Sequence, residues 1–134
     1  IKNRITVLKE IINEASHKVL VFCPFRHSIE RIKEELNSSN MSCEVIHGDV
    51  SMNARSDTFK KFQETADPQI LIIQPQAASH GVTLHAANVV VFWSPVMSVE
   101  IYIQCCARVD RAGLQGKIDL HSQLVDLYKA EIES

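Results

Sequence analysis

The sequence predicts one α/β domain, a mostly parallel β-sheet flanked by helices, and three observations carry that expectation. Continuous apolar runs of strand length recur at residues 19–23, 70–73 and 89–93, and a run without polar alternation suits a strand covered on both faces. Between these runs lie stretches whose apolar residues repeat at helical spacing. The two patterns alternate along the chain with no internal repeat, low-complexity tract or interior linker, as βαβ units joined by right-handed crossovers do.

Taken in order, Ile5, Leu8, Ile11, Ile12 and Ala15 mark an amphipathic first helix that His17 and Lys18 close. Residues 19–23 form the first strand, stopped by Pro24. Ile29, Ile32 and Leu36 mark a second helix with a polar exit at residues 37–40. A second strand covers residues 43–47, with Gly48-Asp49 as its turn. Ser51 is a good N-cap for a third helix whose apolar stripe is Ala54, Thr58, Phe59 and Phe62, ended by Asp67-Pro68. Residues 70–73 are the third strand, 89–93 the fourth and 118–121 a short fifth, with a helix from Ser98 onward before it. A tail helix is expected from about Gln123 to Glu133, packed on this domain or on a neighbour.

Composition narrows the function classes. At 134 residues the chain is the size of one ordinary domain, and 46% hydrophobic with 22% charged residues is a globular composition. No apolar run approaches the ~20 residues that span a bilayer. The chain opens on Ile1 without a signal-peptide pattern, which reads as a fragment of a longer, intracellular polypeptide. With a net charge of -2, any phosphate-tracking surface has to be a local patch. Cys23, Cys43, Cys105 and Cys106 lack zinc-ligand spacing and are expected to be free thiols, most of them buried. His85 and His121 are expected to be structural histidines.

Two features point to a site. In open parallel sheets ligands bind beyond the carboxyl ends of the strands, which selects the loops at residues 24–28, 47–50, 74–84 and 94–98. The third of these is long and rich in small residues, so a backbone could approach another molecule closely. The second feature is the stretch from Gln104 to Gln115, where Gln104, Arg108 and Arg111 recur at i, i+4 and i+7. On a helix begun at Ser98 their long polar ends share one face. Two guanidiniums on one stripe suit planar contact with phosphate oxygens; pairing with Asp110 or a nearby glutamate is the plainer alternative.

Together these pieces resemble the second RecA-like motor domain of superfamily-two helicases and translocases, specifically the Swi/Snf-like branch and its phage relatives. The resemblance covers roughly residues 17 to 117. Lys18-Val19-Leu20-Val21-Phe22-Cys23-Pro24-Phe25 looks like motif IV. His47-Gly48-Asp49, then Arg55, then the segment from Phe59 to Phe62, looks like the following block with its fixed arginine. Gln76-Ala77-Ala78-Ser79-His80-Gly81-Val82-Thr83-Leu84 resembles motif V and leads, as in the family, to a strand ending in Trp93-Ser94-Pro95. Gln104, Arg108 and Arg111 fit motif VI. The order and spacing of the blocks agree with the family. Asp110 stands where its pattern usually has His, and Leu114 separates Gly113 from Gln115.

The resemblance implies a RecA-like three-layer fold and a division of roles among these residues. By it, Arg111 is the arginine finger toward ATP, with Arg108 beside it on the phosphates and Gln104 orienting the cleft; Gly81 and Thr83 join Arg108 and Arg111 in nucleotide binding. It also implies that nucleic acid is met by Phe25, Arg26, His27, His47, Gly48, Ser79 and His80, through backbone N–H groups, hydroxyls and cations and without base readout; plain core packing is the alternative for Phe25. The chain carries no Gly-x-x-x-x-Gly-Lys-Ser/Thr loop and no Walker B-like Asp-Glu pair. ATP and Mg²⁺ are therefore assigned to an N-terminal RecA-like domain of the same polypeptide, with DNA, duplex or forked, as the other partner, and the isolated domain is expected to be inactive. A non-catalytic α/β module that holds an anionic ligand or a protein partner remains the alternative. A Rossmann-like enzyme domain is disfavoured because the turn at residues 24–28 contains no glycine.

Overall fold

A computed structural model of the chain describes residues 3–15, 17–78, 84–94, 98–109 and 116–120. The element order is α1 (Arg4–Glu14), β1 (Lys18–Phe22), α2 (Arg26–Ser38), β2 (Cys43–Ile46), α3 (Met52–Glu64), β3 (Ile70–Ile73), a short 3₁₀ turn (Pro75–Ala78), β4 (Ala87–Phe92), α4 (Val99–Ala107) and β5 (Gly116–Asp119). All five strands run parallel, in the order β2-β3-β1-β4-β5. The apolar runs are explained by position: β1 has β3 and β4 on its flanks and helices on both faces, so Val19, Leu20, Val21 and Phe22 are all buried.

Alternation along the strands sorts the interior into two cores. Val19, Val21, Ile70, Ile72, Val89 and Val91 face α1 and α2, meeting Leu8, Ile12, Ile29, Ile32 and Leu36. Leu20, Phe22, Leu71, Ile73, Val90 and Phe92 face the other side, where α3 contributes Phe59 and Phe62 and α4 contributes Cys105. The result is the expected three-layer arrangement. α3, which joins the neighbouring strands β2 and β3, and α4, which joins β4 and β5, lie on the same face of the sheet. The Arg4 guanidinium sits over the Trp93 ring at 5.8 Å and donates to the Trp93 carbonyl at 3.3 Å, pinning α1 to the end of β4.

Several local expectations shift. The first helix closes at Glu14, where Ala15 turns extended while its N–H still reaches the Ile11 and Ile12 carbonyls. Lys18 begins β1 instead of ending α1 because it is already in register with Ala87. Ser51 does cap α3, its Oγ accepting the Ala54 N–H at 3.2 Å, but Ala54 is exposed and Arg55 is the inward residue beside Phe59 and Phe62. β5 lies two residues earlier than expected, pairing Gly116 with Val89 and Asp119 with Phe92, and Leu120 follows it fully buried.

The largest correction concerns the helix after Ser98. Ser98 Oγ accepts the Ile101 N–H and starts it, but α4 ends at Ala107 with Arg108 as its C-cap. The last turn tightens into Arg108 N–H to Cys105 O and Val109 N–H to Cys106 O bonds. The carbonyl of Arg108 then accepts the Leu84 N–H at 2.8 Å, and Val109 is buried. Gln104 and Arg108 therefore share a helical face, and Arg111 lies outside the described residues.

Candidate functional site at the strand ends

The carboxyl ends of β1, β2 and β3 are tied together by Gln74, the first residue after β3. Its backbone N–H continues the ladder to the Ile46 carbonyl at 2.9 Å. The side chain reaches both ways: Nε2 donates to the Pro24 carbonyl at 3.2 Å, and Oε1 accepts the Gly48 N–H at 3.0 Å. The loop after β2 is held from below by Arg55, whose Nε donates to the Val50 carbonyl at 3.0 Å and whose Nη2 donates to the His47 and Gly48 carbonyls at 3.3 and 3.2 Å. One buried guanidinium thus satisfies the carbonyls of a whole turn.

On this frame stand the expected nucleic-acid residues. Phe25 is 52% exposed, so it is not core packing; its ring lies 6.0 Å from the His27 ring at a shallow angle. Arg26, the first residue of α2, places Nη1 2.6 Å from Asp49 Oδ2 across the two loops, with both side chains largely in solvent. The guanidinium holds the Asp49 carboxyl below the usual carboxylate range, its hydrogen bond counting ahead of its charge. His47 Nδ1 accepts the Asp49 N–H at 3.2 Å, which leaves Nε2 as the ring's donor. The Gly48 N–H donates to Gln74 and its carbonyl accepts from Arg55.

A second cluster sits at the end of α4. Gln104 and Arg108 are half-buried. The Nε and Nη1 atoms of Arg108 are buried and have no hydrogen-bond partner among the described residues. Two buried cationic donors without acceptors are costly to keep and are the kind of group an anion satisfies. Cys105, one turn back, is pushed up to about 12 by burial, its neighbour Cys106 adding to the shift and the Arg108 charge opposing it. Burial likewise raises the Cys23 and Cys43 thiols, and all four cysteines are free. Among the described residues no three His, Cys, Asp or Glu side chains converge on a metal-sized site, and no helix is long and apolar enough to cross a membrane.

Residues 3–113 match the model of the helicase conserved C-terminal domain. The chain belongs to that family. Among curated relatives, this helicase C-terminal domain is 32% identical over 112 residues to "ATP-dependent RNA helicase dbp7" of Sclerotinia sclerotiorum, covering 78% of this chain and 13% of that protein. It is 26% identical over 121 residues to the SWI/SNF-related matrix-associated actin-dependent regulator of chromatin subfamily A-like protein 1 of Xenopus tropicalis, covering 90% and 13%. With "ATP-dependent RNA helicase DbpA" of Bacillus subtilis it shares 22% over 117 residues, covering 87% and 24%. The chain thus spans a quarter or less of these relatives. Among solved structures, the C-terminal part of the Fun30 ATPase domain superposes with a TM-score of 0.77 at 24% identity, covering 87% of this chain and 40% of that one. The Hef helicase domain of Pyrococcus furiosus gives 0.70 at 22%, covering 88% and 26%. The fold of this helicase C-terminal domain is RecA-like.

Within the helicase C-terminal domain, the structure brings Phe25, Arg26, His27, His47 and Gly48 onto one rim and puts Gln104 on α4 one turn before its C-cap, Arg108. Ser79, His80, Gly81, Thr83, Arg111 and His121 lie outside the described residues. His85 is exposed. Sequence reasoning misses Gln74 and the Arg26–Asp49 pair. A polar amide directly after four fully apolar residues at a strand's carboxyl end is the available signal for Gln74.

Proposed function

We propose that this chain is the second motor half of an ATP-driven helicase or translocase acting on duplex DNA, which completes an ATPase site held mainly by an N-terminal RecA-like domain of the same polypeptide. The observation that carries the reading is Arg108, whose buried Nε and Nη1 lack any acceptor among the described residues. A phosphate group supplies the missing acceptors, and an arginine delivered across a domain cleft is worth roughly 10³ to 10⁵ in phosphoryl-transfer rate. In this reading Arg108 and Arg111 hold and neutralise the phosphates, Gln104 orients the cleft, and Gly81 and Thr83 line it. Mg²⁺ would be held by the N-terminal domain and would supply positive charge to the phosphates. Phe25, Arg26, His27, His47, Ser79 and His80 track the nucleic-acid backbone.

Duplex DNA is favoured by the Swi/Snf-like resemblance of the sequence. RNA is the second reading, supported by relatives whose names call them RNA helicases. The test is ATP hydrolysis by the full-length protein with duplex DNA or RNA as stimulant, comparing wild type with Arg108→Ala and Arg111→Ala. The expected result is stimulation by duplex DNA and a fall of about 10²-fold or more in turnover for each variant with ATP and DNA binding retained. Unchanged turnover in both variants rejects the arginine assignment. Absence of turnover in wild type returns the fold to a binding module, and stimulation by RNA alone replaces DNA with RNA.

A further inference from the structure

Arg26 meets its anion before any nucleic acid arrives. Its Nη1 stands 2.6 Å from Asp49 Oδ2, whereas the Lys9–Glu35 and Lys61–Glu44 pairs stand off at 3.6 and 3.9 Å. The two residues belong to different loops, Arg26 opening α2 after β1 and Asp49 following β2, and both loops are held by bonds other than this ion pair, the two together by Gln74 and the second also by Arg55. The pair is therefore set by the frame and is not a chance meeting of two long side chains. Both members are solvent-exposed, at 51% and 77%, so the pair is weak and open to exchange.

A carboxylate and a phosphodiester offer a guanidinium the same kind of acceptor. We propose that Asp49 is an affinity-setting residue of the nucleic-acid surface: it holds Arg26 in the free protein and surrenders it to a backbone phosphate on binding. This rests on the strand-end surface being the nucleic-acid contact. Binding then exchanges one pair for another, and the released carboxylate, left near the phosphates, retains a cation. Asp49 thereby lowers both the affinity and the salt dependence that Arg26 would otherwise contribute.

The experiment is a titration of fluorescently labelled duplex DNA of mixed sequence with the full-length protein at several salt concentrations. Wild type, Asp49→Asn, Arg26→Ala, the double variant and Glu34→Gln are compared, with thermal midpoints confirming folding. Glu34 is exposed two turns along α2 from Arg26 and controls for the lost negative charge alone. Asp49→Asn is expected to tighten binding about 3- to 10-fold and to steepen the slope of log K against log salt by about one ion. Glu34→Gln is expected to change affinity by less than about 2-fold, and the double variant to match Arg26→Ala. The proposal is overturned if Asp49→Asn binds like wild type, or if its gain survives in the Arg26→Ala background. If Arg26→Ala weakens binding while Asp49→Asn gains nothing, the surface reading stands and only the role of Asp49 falls; if no protein in the set binds duplex DNA, both fall.

Discussion

A guanidinium that donates to three carbonyls of one turn is hard to replace, because each carbonyl must then find water or go without. Arg55 does this for His47, Gly48 and Val50, so Arg55→Met should keep the stem packed in the α3 core and lose only the polar head. We expect a loss of about 1–3 kcal/mol in urea unfolding. A variant as stable as wild type would mean that water replaces the arginine without cost. At this scale the sequence is legible where chemistry is local. The Ser51 cap and the apolar residues Ile29, Ile32 and Leu36 lie where their types put them. Arg55 is legible as a member of a motif, while helical periodicity assigns its inward position to Ala54. A charged residue counts against burial until its acceptors are visible, and the carbonyls that accept from Arg55 precede the helix.

Elements are readable according to how much of their definition lies inside them. β3 has the bounds its four apolar residues announce, since Gln69 and Gln74 end the run on both sides. The end of α4 is not readable, because what captures the Arg108 carbonyl is Leu84, a residue before β4. The end of α3 follows the same logic of distant partners. Lys18, at the start of β1, donates from Nζ to the Phe62 and Thr65 carbonyls and lies 4.8 Å from the Phe62 ring centroid. A cation at a helix carboxyl end satisfies orphan carbonyls and meets the negative end of the helix dipole. Its burial holds its pKa below the usual lysine value, so the ammonium is kept there against some desolvation. Lys18→Met should cost about 1–2 kcal/mol and loosen the last turn of α3. Hydrogen exchange of the α3 amides that is unchanged by the substitution would show that the cap is idle.

For the whole molecule, alternation of strands and helices foretells a parallel sheet but not the order β2-β3-β1-β4-β5. That order depends on which crossovers reach past β1, and nothing within a strand records its neighbours. It carries an expectation about stability. The interior strands β3, β1 and β4 are flanked on both sides and buried on both faces, so their amides should open only with global unfolding, while those of the edge strands β2 and β5 exchange earlier. Native-state hydrogen exchange measures this directly, and equal protection across the sheet would contradict it. The order also explains how one amide, Gln74, can serve two loops: β3 lies between β2 and β1, so its exit is within reach of both. The bond between the Leu84 N–H and the Arg108 carbonyl has a mechanical meaning as well. Through it, the chain entering β4 and the foot of α4 turn on a common pin. The peptide that carries the Arg108 side chain is thereby tied to the residue that leads into β4, so a displacement of either one is shared by the other.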